Sequence, residues 1–85
     1  MSCPSNEYRC EVRLCPEPEG GHSAYVAQLP GVVSEGRTVE YACMSAAAAL
    51  IAALRLYRET NEPVPWREPR PLKPSELSQW IVVSL

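Results

Sequence analysis

The chain has 85 residues, a formal net charge of −2 at pH 7, and 46% hydrophobic against 21% charged residues. This length allows one domain with one small core, and the composition is that of a globular domain, not of a disordered one. The acidic balance gives no electrostatic basis for binding nucleic acid. No apolar stretch reaches membrane-spanning length, and the N-terminus lacks the layout of a secretion signal. We therefore expect a cytoplasmic protein with no membrane partner and no direct nucleic-acid partner.

The four cysteines, Cys3, Cys10, Cys15 and Cys43, form no C-x-x-C pair. A disulfide framework would need an oxidising compartment, which a chain without a secretion signal does not favour. A zinc site that included His22 would lack the paired ligands of structural sites. We expect Cys10 and Cys43 to be small core residues, and we expect neither a metal nor a cofactor.

The first predicted strand covers Tyr8–Leu14, after an N-terminus (1–7) that we expect to fray. Apolar and charged residues alternate along it, which is typical of a strand with one face on the core and the other in water. Arg9, Glu11 and Arg13 form the set that this pattern places in water.

A hairpin follows, because a second strand is predicted over His22–Leu29 after a turn rich in proline and glycine. A tight turn at Leu29-Pro30-Gly31, a short third strand at Val32-Val33 and a turn at Glu35-Gly36 are then expected. The residues expected to set the geometry of this region and of the helix entry are Gly20, Gly21, Leu29, Pro30, Gly31, Gly36 and Thr38.

One helix is predicted to start after Thr38, whose side chain can accept a hydrogen bond from a first-turn amide. It should run to Glu59 or Thr60 and stop at Asn61, because Pro63 cannot continue a helix.

The back of this helix has an unusual composition, since no charged residue occurs from Tyr41 through Leu54. A helix with its back to water normally carries charges there. Alanine is a good helix former in any setting, so a simply exposed back is the alternative. We favour a back that is partly buried against another subunit or partner. The candidate interface comprises Tyr41, Met44, Ala48 and Ile51.

The remaining chain is predicted to be a proline-rich connector (61–78) and a last strand (Gln79–Leu85). A Pro-x-x-Pro ligand motif is the alternative to a stiff connector. The last strand is apolar on both faces, so it should be covered on both sides or lie at an interface. These elements predict one α+β domain, a two-layer β-β-β-α-β sandwich with sheet order 3-2-1-4.

Several of these segments together resemble the N-terminal domain of HicB-like antitoxins. They are Glu19–Val26 (EGGHSAYV), Leu29–Val32 (LPGV), Gly36-Arg37-Thr38 with Ala42 in the first helical turn, and Asn61–Pro65 (NEPVP). Three positions depart from the family pattern: Gln28 and Arg37 stand where the family has acids, and Tyr41 stands where it has glutamate.

The resemblance implies a degraded, partial RNase H-like fold without nuclease activity, and direct neutralisation of a small HicA-type toxin that cleaves mRNA. The residues agree with the lack of nuclease activity, because two-metal nucleases need clustered carboxylates and this chain contains no aspartate. Family members often add a C-terminal DNA-binding module. The chain ends with its last strand, so we expect a stand-alone domain that binds protein and not DNA. We also expect a homo-oligomer, a dimer or a tetramer, since association adds stability to a chain with so small a core.

Two other functions stay open. One is an oligomeric scaffold or small-ligand-binding domain without a toxin partner. The other is an enzyme that uses His22 and a cysteine. His22 is the only histidine, and no partner for a general base stands at a local spacing, so we expect no catalysis.

Overall fold

The computed structural model describes residues 7–85 as four strands and one helix. Their bounds are β1 (Glu7–Pro16), β2 (His22–Val26), β3 (Leu29–Gly36), α1 (Val39–Glu59) and β4 (Leu77–Ser84). Residues 1–6, with Cys3 and most of the N-terminus expected to fray, lie outside the described residues, whereas Glu7 already belongs to β1.

The strands form one sheet in the order β3-β2-β1-β4, and every neighbouring pair is antiparallel. The helix α1 covers one face of this sheet, which we call the inner face. The predicted two-layer sandwich and its strand order are confirmed.

The core lies between α1 and the inner face of the sheet. On β1, Cys10, Val12 and Leu14 are buried, as the alternating pattern predicts. The buried stripe of α1 consists of Ala42, Cys43, Ala46, Leu50 and Leu54. Small residues occupy its first half and leucines its second half, so the N-terminal part of the helix can approach the sheet more closely.

That close approach explains a glycine that sequence reasoning assigned to a turn. Gly36 is the last residue of β3, and a Cβ atom built on it would lie 2.4 Å from the backbone nitrogen of Ala42. Any side chain there would push the strand away from the first turn of α1. In the β1–β2 turn the glycine requirement is conformational, because Gly20 and Gly21 have φ angles of 104° and 80°.

Both ends of α1 carry the predicted capping groups. At its start, the hydroxyl oxygen of Thr38 accepts a hydrogen bond of 3.1 Å from the backbone N–H of Tyr41. At its end, Asn61 adopts a left-handed conformation with φ 57°. The N–H groups of Asn61 and Glu62 then donate to the carbonyls of Arg58 and Tyr57. This Schellman arrangement satisfies the last carbonyls of the helix before Pro63.

The turn between β2 and β3 differs from the prediction. The strand β2 ends at Val26, the turn consists of Ala27 and Gln28, and Leu29 already pairs with Val26. The next pair joins Tyr25 to Val33, so residues 30–32 form a bulge within β3. The predicted second strand ending at Leu29 and the predicted tight turn at 29–31 are therefore wrong. Proline and glycine are as typical of a bulge as of a turn, so these residues alone do not distinguish the two.

The position of the turn is fixed by hydrogen bonds to β1. The N–H of Ala27 donates to the carbonyl of Glu11 at 2.8 Å. The side-chain oxygen of Gln28 accepts from the N–H of Glu11 at 2.9 Å. These bonds extend the pairing of β1 beyond the last β1–β2 residue pair, Val12 with Val26.

The helix α1 is long and apolar enough to cross a membrane by length and composition. The expectation that no segment reaches this length is therefore wrong for α1. Its buried stripe contacts the sheet in this fold, and the core helix of a globular domain meets the same criterion.

Candidate functional site

The outer face of the sheet, opposite α1, contains a buried charged cluster. Glu11 and Arg13 of β1 are only 8% and 5% exposed. The prediction that this face of β1 is wetted is therefore wrong at both positions, although Arg9 on the same face is exposed.

Residues distant in sequence help to bury these charges and bond to most of their polar atoms, whereas the Nε of Arg13 has no hydrogen-bond partner among residues 7–85. The guanidinium of Arg13 donates to Glu11 Oε1 at 3.1 Å and also to the backbone carbonyl of Arg70. The hydroxyl of Ser78 donates to Glu11 Oε2. Nearby, the hydroxyl of Tyr25 donates to Glu76 Oε2 at 3.1 Å.

The pKa values follow from this cluster. Burial opposes ionisation of Glu11, but hydrogen bonds from Ser78 and Arg13 together with the charge of Arg13 outweigh it, so its pKa is lowered. The hydrogen bond to Glu11 raises the pKa of Arg13. The pKa of Glu76 is lowered, chiefly by the hydrogen bond from the backbone N–H of Lys73. Both carboxylates thus favour the charged form and stabilise the fold.

The proline-rich segment supplies the cover. It has neither helix nor strand from Pro63 to Lys73, whereas Leu77 and Ser78, which the prediction assigned to the connector, already belong to β4. Near its start, Trp66 stacks on Tyr8 with ring centroids 6.0 Å apart, and the N–H of Arg67 donates to the carbonyl of Gln28 at 2.8 Å. From there the segment passes the β2–β3 turn and reaches the outer face, where the carbonyl of Arg70 accepts a hydrogen bond from Arg13, and we call this segment the strap.

The back of α1 carries an exposed stripe without charge from Tyr41 to Ala52, which begins one residue after the exposed Glu40 of the first turn. Tyr41, Met44 and Ala48 of the candidate interface lie on it and are exposed, with Met44 at 67%. Ile51 lies at its edge, half-buried and packed against the core. The structure thus brings three of the four residues together, and their role as an interface stays a prediction. Ser45 and Ala52 extend the stripe.

The last strand forms the second apolar surface. On its inner face Val83 is buried, but on its outer face Trp80 and Val82 are 54% and 55% exposed. The expectation that β4 is covered on both sides is wrong within this chain, and an interface is the remaining alternative. The strap does not extend over these two side chains, because it crosses the sheet above β1 and β2.

Among residues 7–85, no hydrogen bond joins His22 to a cysteine or to a carboxylate. His22 is half-buried, and its Nδ1 has no hydrogen-bond partner among residues 7–85. Burial raises the pKa of the Cys10 and Cys43 thiols, which disfavours the nucleophilic thiolate. His22 opens onto a shallow hollow of about 600 Å³ together with Glu17, Glu19 and Glu35. Within the described chain no group of three or more His, Cys, Asp or Glu residues could hold a metal ion.

Comparisons with known proteins give concordant results in sequence and in structure. No family model matches the chain. It is 38% identical over 61 residues to the antitoxin HicB of Escherichia coli strain K12, and equally to that of Escherichia coli O157:H7. The match covers 72% of this chain, which spans under half, 44%, of the length of these curated relatives.

Among solved structures, the fold is similar to the N-terminal domain of the Burkholderia pseudomallei antitoxin HicB. The TM-score is 0.68 at 20% identity, over 92% of this chain and 98% of that one. At this identity the likeness concerns the fold alone.

Proposed function

The chain belongs to the family of HicB-like antitoxins, and we propose that it is a non-catalytic domain that binds and neutralises a small HicA-type toxin that cleaves mRNA. The class of partner is inferred from the antitoxin relatives. The contact surface for the toxin is inferred from the structure, and the main observation that supports it is the exposed, uncharged back of α1.

The proposed contact surface is the stripe around Tyr41, Met44 and Ala48, with Ile51 at its edge. A large aromatic side chain and a flexible thioether are exposed side by side there, and the alanines below them allow a partner to approach the helix backbone closely. Aromatic residues and methionine are enriched in protein interfaces, whereas charged residues are depleted from interface cores.

Two features support a binding role without catalysis. The chain contains no aspartate, and the carboxylate of Glu11 on the outer face of β1 is paired with the guanidinium of Arg13. A metal-dependent nuclease needs carboxylates that are free to hold ions. We also propose that the fold is a degraded RNase H-like fold, that the protein is cytoplasmic, and that it forms a homo-oligomer.

The proposal requires a reading frame for a small HicA-type toxin next to that of this chain, and binding to the toxin so encoded tests it. The purified chain should form a complex with that toxin and suppress its cleavage of an mRNA substrate. The double variant Tyr41→Glu, Met44→Glu should weaken binding at least tenfold, because two charges would be desolvated in the interface.

Val33→Glu is the matched control, since Val33 is an equally exposed apolar residue on the opposite side of the domain. It should bind and inhibit like the wild type. Failure of the wild type to bind its co-encoded toxin would reject the antitoxin function and favour the scaffold alternative. Equal losses in both variants would reject the helix back as the contact surface.

A further inference from the structure

The two edges of the sheet are protected to different degrees. The order β3-β2-β1-β4 makes β3 and β4 the edge strands. The edge strand β3 carries Pro30, a bulge at residues 30–32 and the charge of Glu35. Proline, bulges and charges are the features by which natural sheets prevent edge-to-edge pairing.

The other edge, β4, has none of these features. It pairs with β1 over eight consecutive positions without a register shift, from Leu77 opposite Leu14 to Ser84 opposite Glu7. Residues 77–85 include no charged residue and no proline. Among residues 7–85, no strand pairs with the other side of β4, so a regular backbone edge is available to a further strand.

The side chains next to this edge are apolar and exposed. Trp80 and Val82 lie on the outer face at 54% and 55% exposure, beyond the reach of the strap. An exposed, regular and apolar edge strand is a template for β-pairing with another chain.

We propose that β4 pairs in antiparallel fashion with β4 of a second copy of this chain, so that two four-stranded sheets form one eight-stranded sheet in a two-fold symmetric dimer. A two-fold axis perpendicular to the sheet brings the same strand of both copies together in opposite directions, which is the antiparallel geometry. A strand without charge can meet its own copy without like-charge repulsion.

The side-chain pattern selects a register for this pairing. When Ile81 lies on the two-fold axis, Trp80 stands opposite the Val82 of the second copy, and the pair occurs twice. An aromatic residue opposite a β-branched residue is a favourable cross-strand pair, and both side chains would leave water on the outer face. On the inner face, Ile81 of one copy meets Ile81 of the other.

This dimer does not depend on the proposed toxin binding. The back of α1 points away from the sheet, whereas Trp80 and Val82 lie on the opposite face and at one edge. Pairing through β4 therefore leaves Tyr41 and Met44 free. Self-association is measured on the purified chain alone, so its failure and the failure of toxin binding are separate results.

Sedimentation equilibrium of the purified chain tests the dimer. At roughly 100 µM, ample for a weak specific interface, the mass should be twice the 9.4 kDa of one chain. It should change little between low and high salt, because no ion pairs cross the interface. Val82→Lys should weaken self-association at least tenfold, since it places a charge at the edge and opposite Trp80 of the other copy.

Val33→Lys is the matched control, because Val33 is 64% exposed on the same outer face but on the protected edge strand β3. It should dimerise like the wild type, and circular dichroism should show both variants folded. A wild type that stays at 9.4 kDa would overturn the proposal, as would equal dissociation of the two variants.

The register has its own test by oxidative cross-linking. The double variant Trp80→Cys, Val82→Cys should form a covalent dimer, since the new cysteines stand opposite each other across the axis. The single variant Trp80→Cys should not exceed the background of the wild type with its native cysteines. Efficient cross-linking of the single variant would overturn this register.

Discussion

Glu11 and Arg13 lie two residues apart on the outer face of β1 and form an ion pair of 3.1 Å that is almost inaccessible to water. The pair is completed by Arg70 and Ser78, which come from the strap and from β4. It therefore fastens the second half of the chain to the first strand, and breaking it should loosen both.

Arg13→Met should destabilise the fold by about 3 kcal/mol, because Glu11 would remain buried without its cation. The free energy of unfolding in urea measures this loss. Arg9→Met is the matched control on the same face of the same strand. Arg9 is exposed, so its loss should change stability by no more than about 0.5 kcal/mol. Similar losses in both variants would contradict the importance of the buried pair.

Acid should destabilise the protein through Glu11 and Glu76. Because their folded-state pKa values are lowered, the stability that they contribute is present above the unfolded value near 4.5 and is lost as the pH falls through the lower folded values. The thermal midpoint should therefore fall as the pH decreases through the unfolded value of 4.5 and below it.

Glu11→Gln tests the source of this acid sensitivity. The variant is less stable at neutral pH, but its midpoint should depend less steeply on pH over the same window. Glu68→Gln, which removes an exposed charge from the strap, should keep the wild-type slope. A Glu11→Gln variant with the full wild-type slope would show that the acid transition arises elsewhere.

Gly36→Ala should destabilise the fold by about 2 kcal/mol or more, because a Cβ atom 2.4 Å from the Ala42 nitrogen forces β3 and α1 apart. Gly31→Ala is the control. A Cβ atom on Gly31 would meet no atom within 4 Å, and its φ angle is not positive. That variant should match the wild type or gain about 0.4–1 kcal/mol from reduced unfolded-state entropy. Chemical denaturation of both variants decides the matter, and a neutral Gly36→Ala would contradict the close approach.

Gln28→Leu should destabilise the fold by about 1–3 kcal/mol, because it leaves the N–H of Glu11 without an acceptor. Gln28→Glu keeps an oxygen at this position, and acidic residues are usual there in the family pattern, so its loss should be smaller. Hydrogen exchange of the Glu11 amide should accelerate in the leucine variant only. Unchanged exchange in that variant would rule out this capping role.

Local patterns in the sequence were sufficient for most of the fold. The alternation of residues 8–14 identified β1 and its core face, and Thr38 and Asn61 marked the two ends of α1. The same local signals failed at Leu29-Pro30-Gly31. A bulge and a turn use the same residues there, and only the bonds of Ala27 and Gln28 to Glu11 distinguish them.

The candidate interface was also predictable in part. The lack of charge identified the back of α1, and Tyr41, Met44 and Ala48 are exposed together on it. Ile51 was grouped with them by its heptad spacing from Met44. Its position at the edge of the stripe depends on how the helix is rotated on the sheet, which the packing of the core decides.

The sequence by itself determined the order of elements, the helix caps and the two surfaces without charge, because these depend on residues within a few positions of each other. Only the tertiary structure decided that Glu11 and Arg13 are buried, since their partners are 57 and 67 positions away in the chain. Only the sheet order showed that β4 is an unprotected edge. An alternating strand has the same pattern whether water or a distant segment covers its polar face, and contacts across the fold make the difference.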